Sequence, residues 1–135
     1  MSFLKSPAPS SFAPAERKEA DLIKVESEQL KQELKRCSIL DMLPDPVVIL
    51  NADRQILFAN QTLINFLHLN DDSSILGMRP GEMLDCAHAK NDSGGCGTTE
   101  FCSVCGAVKA ILHTQKFNNS ITCDCQIITT SDKAY

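Results

Sequence analysis

The stretch that decides the fold is PVVILNADRQILFANQTLINFLHL, residues Pro46–Leu69. Two runs of β-branched and apolar residues, Pro46–Asn51 and Gln55–Ala59, flank a short polar turn, a pattern typical of a β-hairpin. Asn60 stands where the N-cap of a helix is expected, and three apolar residues then share one face of a short helix: Leu63, Phe66 and Leu67. The stretch therefore predicts a hairpin followed by a helix that packs on it.

The residues before this stretch predict a tail and a long helix. Residues 1–14 are rich in Ser, Pro and Ala, so we expect a disordered tail there. From Ala15 to Leu43 no Gly or Pro interrupts a run dense in Glu, Lys, Gln and Leu, which predicts one helix that ends at Pro44. An imperfect a/d series follows it: Ala20, Ile23, Ser27, Leu30, Leu34 and Cys37. This stripe either packs on its own domain or pairs in a parallel coiled coil, and we expect a homodimer through residues 15–43.

A cysteine-rich window, DCAHAKNDSGGCGTTEFCSVCG, occupies residues Asp85–Gly106. It supplies four candidate metal ligands: Cys86, Cys96, Cys102 and Cys105. The last two form a C-x-x-C pair, and three glycines around Cys96 permit the tight turns that wrap a metal. His88 is a possible substitute for one of the four thiols. Zinc and an iron–sulfur cluster both suit four thiolates, and of the two we favour the cluster. Free thiols without a metal are the alternative.

The C-terminal part predicts one more helix and one more strand. Residues 102–115 have an amphipathic pattern that places the C-x-x-C pair in the first turn of a helix. The run SITCDCQIITT, residues 120–130, alternates apolar and polar side chains and predicts a strand with one buried face. Cys123 and Cys125 lie on that face, so we interpret them as core residues and not as ligands.

Several of these segments together resemble a PAS domain. The long helix, the P-D-P-V break at 44–47, the hairpin and the F-A-N helix entry at 58–60 resemble its start, and ILGMRPGEML, residues 75–84, resembles its middle connectors. The segment GGCGTTEFCSVCGAV, residues 94–108, resembles the PAS sensor regions of some bacterial signalling proteins, including histidine kinases. The resemblance implies an α+β fold, with a PAS-like antiparallel sheet and flanking helices over residues 44–135, preceded by the N-terminal helix. A PAS sheet has five strands and only three are predicted here, so we expect the domain to be C-terminally incomplete.

The expected function is that of a sensory signal-transduction module with a cysteine-ligated metal or iron–sulfur centre. Its signal would pass to an output domain or partner protein such as a histidine kinase. The net charge of −4 and the pI near 5.3 argue against nucleic acid as a partner. The sequence has no apolar run of 18 residues that would insert into a membrane. We therefore expect a cytoplasmic protein. No catalytic constellation is present, which predicts a non-enzyme. The alternatives are a thiol-disulfide redox protein using Cys102 and Cys105, or a zinc-stabilised adaptor.

Overall fold

The computed structural model describes residues 9–35 and 39–131 of the chain. It divides into two compact units. The first, here called the hairpin unit, comprises Arg17–Met78. The second, here called the cysteine unit, combines the N-terminal residues up to Glu16 with the chain from Arg79 onward. Each unit has its own buried residues.

The hairpin unit is built from two antiparallel strands and three helices. The strands pair with Val48 opposite Ala59, and the register shifts between Ile49 and Leu50, which makes a β-bulge. The longer of the two helices before the hairpin, residues Ala20–Leu34, packs on the second strand of the hairpin. In chain order the elements are α1 (Ala20–Leu34), α2 (Ile39–Met42), β1 (Val48–Leu50), β2 (Ile56–Ala59) and α3 (Gln61–Phe66). The predicted hairpin and the helix after it are confirmed.

Asn60 is the N-cap of α3, as the sequence predicts, and it also ties the preceding chain together. Its Oδ1 accepts the N–H of Leu63 at 3.1 Å and the N–H of Val47 at 2.9 Å. Its Nδ2 donates to the carbonyls of Leu40 and Asp45 at 2.8 and 2.9 Å. All polar atoms of this fully buried amide are thus used, which fixes the segment before β1 against the start of α3.

The predicted single helix over residues 15–43 begins later than expected. Lys18 donates its N–H to Oε1 of Gln55 at 2.8 Å and accepts from Nε2 of the same side chain at 3.2 Å, which holds it outside a helix. Helix α1 therefore starts at Ala20, and Cys37 of the a/d series lies outside the described residues. Ile23 and Ser27 are buried, so part of the predicted seam packs on the chain's own hairpin unit.

The cysteine unit consists of short helical turns and one longer helix. Its elements are α4 (Pro80–Met83), 3₁₀ turns at Ala87–Lys90 and Glu100–Val104, and α5 (Gly106–Phe117). A small core of Ala13, Cys102 and Val108 lies behind them. The C-x-x-C pair thus precedes the helix and does not form its first turn as predicted: Cys105 is the N-cap of α5.

The predicted disordered tail at the N-terminus differs in part from the structure. Residues 1–8 of the predicted tail lie outside the described residues. Ser11 and Ala13, however, donate their N–H groups to the carbonyls of Thr98 and Gly97 at 2.8 and 2.9 Å, so this part of the tail is held by backbone pairing.

The predicted strand over residues 120–130 is wrong within the described chain. Residues 120–127 form no ladder, and Thr129 makes an isolated antiparallel bridge to Cys86. Cys123 is exposed and Cys125 is half-buried, so neither belongs to a strand core. The α+β class with an antiparallel sheet and an N-terminal helix is confirmed, with two strands in the described sheet where three were predicted.

Candidate functional site

The cysteine unit gathers the predicted ligands around the starts of α4 and α5. The predicted set was Cys86, Cys96, Cys102 and Cys105, and the described thiols are all free. The structure brings a further thiol to them: Sγ of Cys125 lies 3.7 Å from Sγ of Cys105. The two sulfurs are therefore in direct contact.

Cys96 lies directly over Gly81 in α4. A Cβ on Gly81 would stand 2.7 Å from Sγ of Cys96 and 3.4 Å from Cβ of Cys86, so only glycine leaves room for these two cysteines. Burial raises the pKa of the Cys96 thiol to about 11, although the N–H of Gly81 lowers this pKa, and the negative charge of Glu82 raises it further. Without a cation beside it, this thiol stays protonated at neutral pH.

Cys125 lies in the same way over the start of α5. The carbonyl oxygen of Asp124 would be 1.8 Å from a Cβ on Gly106, so the backbone of the two segments meets there. Burial raises the pKa of the Cys125 thiol, the N–H of Ala107 opposes this effect, and the neighbouring Cys105 thiol raises the pKa further. The N–H of Ala107 thus points at the sulfur, as backbone N–H groups do toward thiolates in metal and cluster sites.

The remaining predicted ligands have their own contacts. Cys102 is buried, and its Sγ lies 3.1 Å from Oγ1 of Thr99. Cys86 donates its N–H to the carbonyl of Gly81 at 2.7 Å. The possible substitute ligand His88 stacks on Phe101, with ring centroids 4.6 Å apart, and its Nδ1 lies 3.4 Å from the side chain of Asn91. The imidazole is therefore already engaged by the loop in which it lies.

The sequence analysis missed the role of Arg79, which lies in the segment 75–84 that resembles the PAS connectors. Its guanidinium is fully buried and donates to the carbonyls of Gly94 and Cys96 at 3.0 and 3.4 Å. The same group donates to the carbonyls of Pro14 and Glu16 at 3.3 and 2.8 Å. A basic residue just before Pro-Gly, six positions before the cysteine-rich window, was the signal available. This cation holds residues 85–97, here called the cysteine loop, in place.

Glu82 completes the support of the loop. Its Oε1 accepts the N–H of Arg79 at 3.2 Å, and its Oε2 accepts the N–H of Cys96 at 3.0 Å. Over residues 9–35 and 39–131, no three His, Cys, Asp or Glu side chains stand together as they would around an ion. The arrangement that the structure does show is a pair of thiols with further thiols nearby, which suits metal ligation or oxidation to a disulfide.

The hairpin unit contains an open groove of about 490 Å³ between α1, α3 and the hairpin. Lys31 and Asp72 line it and form an ion pair at 2.8 Å, next to apolar side chains such as Leu34 and Ile64. None of its described lining residues is a cysteine, and the predicted ligands all lie in the other unit.

Comparison with known proteins identifies the relationship of the chain. The family model described as PAS domain matches residues 37–114, more than half of the chain. No curated protein and no solved structure gives a significant match. The matched range includes the four predicted ligands and ends before Cys125. Among the described residues, no helix has the length and apolar character needed to cross a membrane.

Proposed function

The chain belongs to the PAS domain family, whose members are sensory modules of signal transduction, and from this premise we propose that it senses through a cysteine-bound centre. The centre is a metal ion or an iron–sulfur cluster. Its change of state passes to an output domain or partner protein such as a histidine kinase. PAS domains are in general sensory and not catalytic, and the chemistry proposed here is ligand or redox sensing.

The observation that carries this proposal is the convergence of thiols on two glycine positions. Cys86 and Cys96 close over Gly81, and the Cys105 side chain meets Cys125 at the start of α5. The loop that joins these positions has little apolar content and is held by backbone and Arg79 hydrogen bonds, so packing alone gives it little stability. A metal centre would stabilise such a loop directly.

The alternative of a redox protein that uses Cys102 and Cys105 has less support. Sγ of Cys102 faces Thr99, whereas Sγ of Cys105 faces Cys125. A zinc-stabilised adaptor shares the same thiols and differs from the sensor only in its output. Metal content and spectrum separate a metal centre from the redox alternative.

The test is metal analysis and an absorption spectrum on protein purified without oxygen. We expect about one equivalent of zinc, or iron with sulfide-to-iron charge-transfer bands, in the wild-type chain. Cys96→Ser should lose the centre, and Cys123→Ser, which changes an exposed cysteine, should retain it. Wild-type protein with neither metal and with all seven thiols freely reactive would show that the proposal is wrong.

We also propose that the chain acts as a homodimer through residues 15–43. Ile23 and Ser27 face the chain's own hairpin unit, so the surface left for a partner copy is a different one. Leu22 and Val25 of α1 are each 54% exposed. Replacing both with Glu should convert a dimer to a monomer in light scattering, and the matched exposed pair Lys24→Glu and Glu28→Lys should not. An unchanged dimer mass after the Leu22 and Val25 substitutions would contradict this interface.

A further inference from the structure

We propose that Cys125 is a metal ligand and that it binds the same metal ion as Cys105. This inference rests on the proposed cysteine-bound centre and changes its composition, since the sequence pattern placed Cys125 in a strand core. It also places part of the site beyond the region that the PAS family match covers.

The distance between the two sulfurs is the main argument. Sγ of Cys105 and Sγ of Cys125 are 3.7 Å apart. Two thiolates bound at about 2.3 Å to one tetrahedral ion stand about 3.7–3.8 Å apart, which is the edge of the tetrahedron. A disulfide would bring the sulfurs to about 2.05 Å. The separation therefore matches two ligands on one ion.

If Cys105 and Cys125 share one ion, fewer types of metal centre are possible. In a four-iron cubane each iron takes one cysteine, so no two cysteine sulfurs share an ion and they stand farther apart. Two cysteines share one metal in a mononuclear zinc or iron site, and also on either iron of a two-iron cluster. An ion shared by Cys105 and Cys125 would thus be a mononuclear site or one iron of a two-iron cluster, and not part of a cubane.

The chain is built to hold Cys125 at this position from both sides. Before it, the carbonyl of Asp124 lies against Gly106, where any larger residue would collide. After it, Thr129 bridges to Cys86, and the N–H of Thr130 donates to the carbonyl of Asp85 at 3.1 Å. The first contact is with the start of α5, and the other two are with the cysteine loop. The segment therefore crosses the site and does not extend a sheet.

The two cysteines of this segment differ in the way that a ligand and a non-ligand should. Cys125 is half-buried beside Cys105, and Cys86 lies within electrostatic reach of its thiol. Cys123, two residues earlier, is exposed. Cys86 is accordingly our candidate for a third ligand, with the remaining position open to Cys96 or Cys102. These side chains would have to move toward the pair when a metal binds, since no three ligand side chains stand together in the described residues. Binding of a divalent ion releases one proton from each coordinating thiol and changes no oxidation state.

The test uses Co²⁺ as a probe on the reduced full-length chain, because its thiolate charge-transfer bands grow with the number of bound sulfurs. We expect Cys125→Ser to weaken Co²⁺ binding by more than about tenfold and to reduce these bands. Cys123→Ser should match the wild type. Cys125→His should restore tetrahedral binding with weaker thiolate bands, because imidazole can replace a thiolate as a ligand.

A measurement on the wild type avoids any loss of folding in the variants. Thiols are alkylated with and without Co²⁺, and the modified cysteines are mapped by mass spectrometry. Protection of Cys105 and Cys125 together, with Cys123 reactive, supports the shared ion. If Co²⁺ binds the wild type and Cys125 stays as reactive as Cys123, the inference is wrong while the proposed function stands. If the wild type binds no metal of any kind, both are wrong.

Discussion

Arg79 is a fully buried cation that organises the cysteine loop through backbone carbonyls. Its two terminal nitrogens donate to Gly94 and Cys96 on one side and to Pro14 and Glu16 on the other. A guanidinium suits this role because it carries several donors in a fixed plane and stays charged when buried. One side chain thereby joins the N-terminal segment to the loop that presents Cys96.

Replacing Arg79 with Lys tests this role at the level of one residue. A lysine ammonium is a compact group that cannot direct donors to four carbonyls in two directions, so several of them lose their partner. We expect the free energy of unfolding to fall by about 2–4 kcal/mol. Urea denaturation measures this loss, and limited proteolysis should show new cleavage between Cys86 and Cys102.

The matched control is Arg17→Lys, an exposed position in the hairpin unit. It should change the stability by less than about 0.5 kcal/mol. If Arg79→Lys is as stable as this control, the carbonyl contacts contribute little and the loop is held by something else.

At the scale of a segment, residues 128–130 are fastened to the start of the cysteine loop. The carboxylate of Asp85 pairs with Lys90 at 2.8 Å and accepts a hydrogen bond from the hydroxyl of Thr130. The Lys90 hydrogen bond, followed by that of Thr130, holds the pKa of this carboxyl below its usual range. Because the folded-state pKa is the lower one, the carboxylate stabilises the fold above about pH 4, and this contribution is lost as the pH falls further.

Asp85→Asn should therefore lower the stability most at neutral pH. We expect the difference in urea midpoint between Asp85→Asn and wild type, both metal-free and reduced, to narrow as the pH falls from about 5 to about 2. Asp92→Asn, at an exposed position of the same loop, serves as the control for the loss of one surface carboxylate. A difference for Asp85→Asn that stays constant over this range would mean that its charge does not act in the fold.

The elements that the sequence predicts well are those decided by neighbouring residues. The hairpin and the Asn60 cap follow from a turn and a cap whose hydrogen bonds lie within a few residues. The segment around Cys125 was predicted as a strand because alternation has period two, yet within residues 9–35 and 39–131 no strand pairs with residues 120–127. Its path depends instead on Gly106, about twenty positions earlier in the chain, and such contacts leave no local pattern.

The candidate site was likewise predicted only where its residues are close together in the sequence. The four thiols Cys86, Cys96, Cys102 and Cys105 were found because they lie in one window with glycines. Cys125 and Arg79 were missed because their roles depend on long-range contacts: a sulfur twenty residues away for Cys125, and carbonyls up to 65 residues away for Arg79. Composition also predicted a disordered N-terminus, since Ser, Pro and Ala bury little surface, but the described residues 11 and 13 are held by backbone hydrogen bonds that composition does not record.

At the scale of the whole molecule, the N-terminal segment is part of the cysteine unit although 62 residues of the hairpin unit separate the two in sequence. Ala13 is 1% exposed and packs with Cys102 and Val108 in the small core. The backbone of Ser11 and Ala13 pairs with Thr98 and Gly97, directly beside Cys96. The segment thus covers the loop that carries the proposed centre.

A chain that lacks residues 1–16 should consequently fold its hairpin unit and lose order in its cysteine loop. The deletion removes two backbone hydrogen bonds and leaves donors of the buried Arg79 without their Pro14 and Glu16 carbonyls, which should cost the cysteine unit about 2–4 kcal/mol. We expect faster proteolysis between Cys86 and Cys102 and faster loss of metal to a chelator. Deletion of residues 1–8 alone is the control, because it leaves each of these contacts in place. If the longer deletion releases metal no faster than the shorter one, the N-terminal segment does not support the site, and Arg79 and Glu82 suffice to hold the loop.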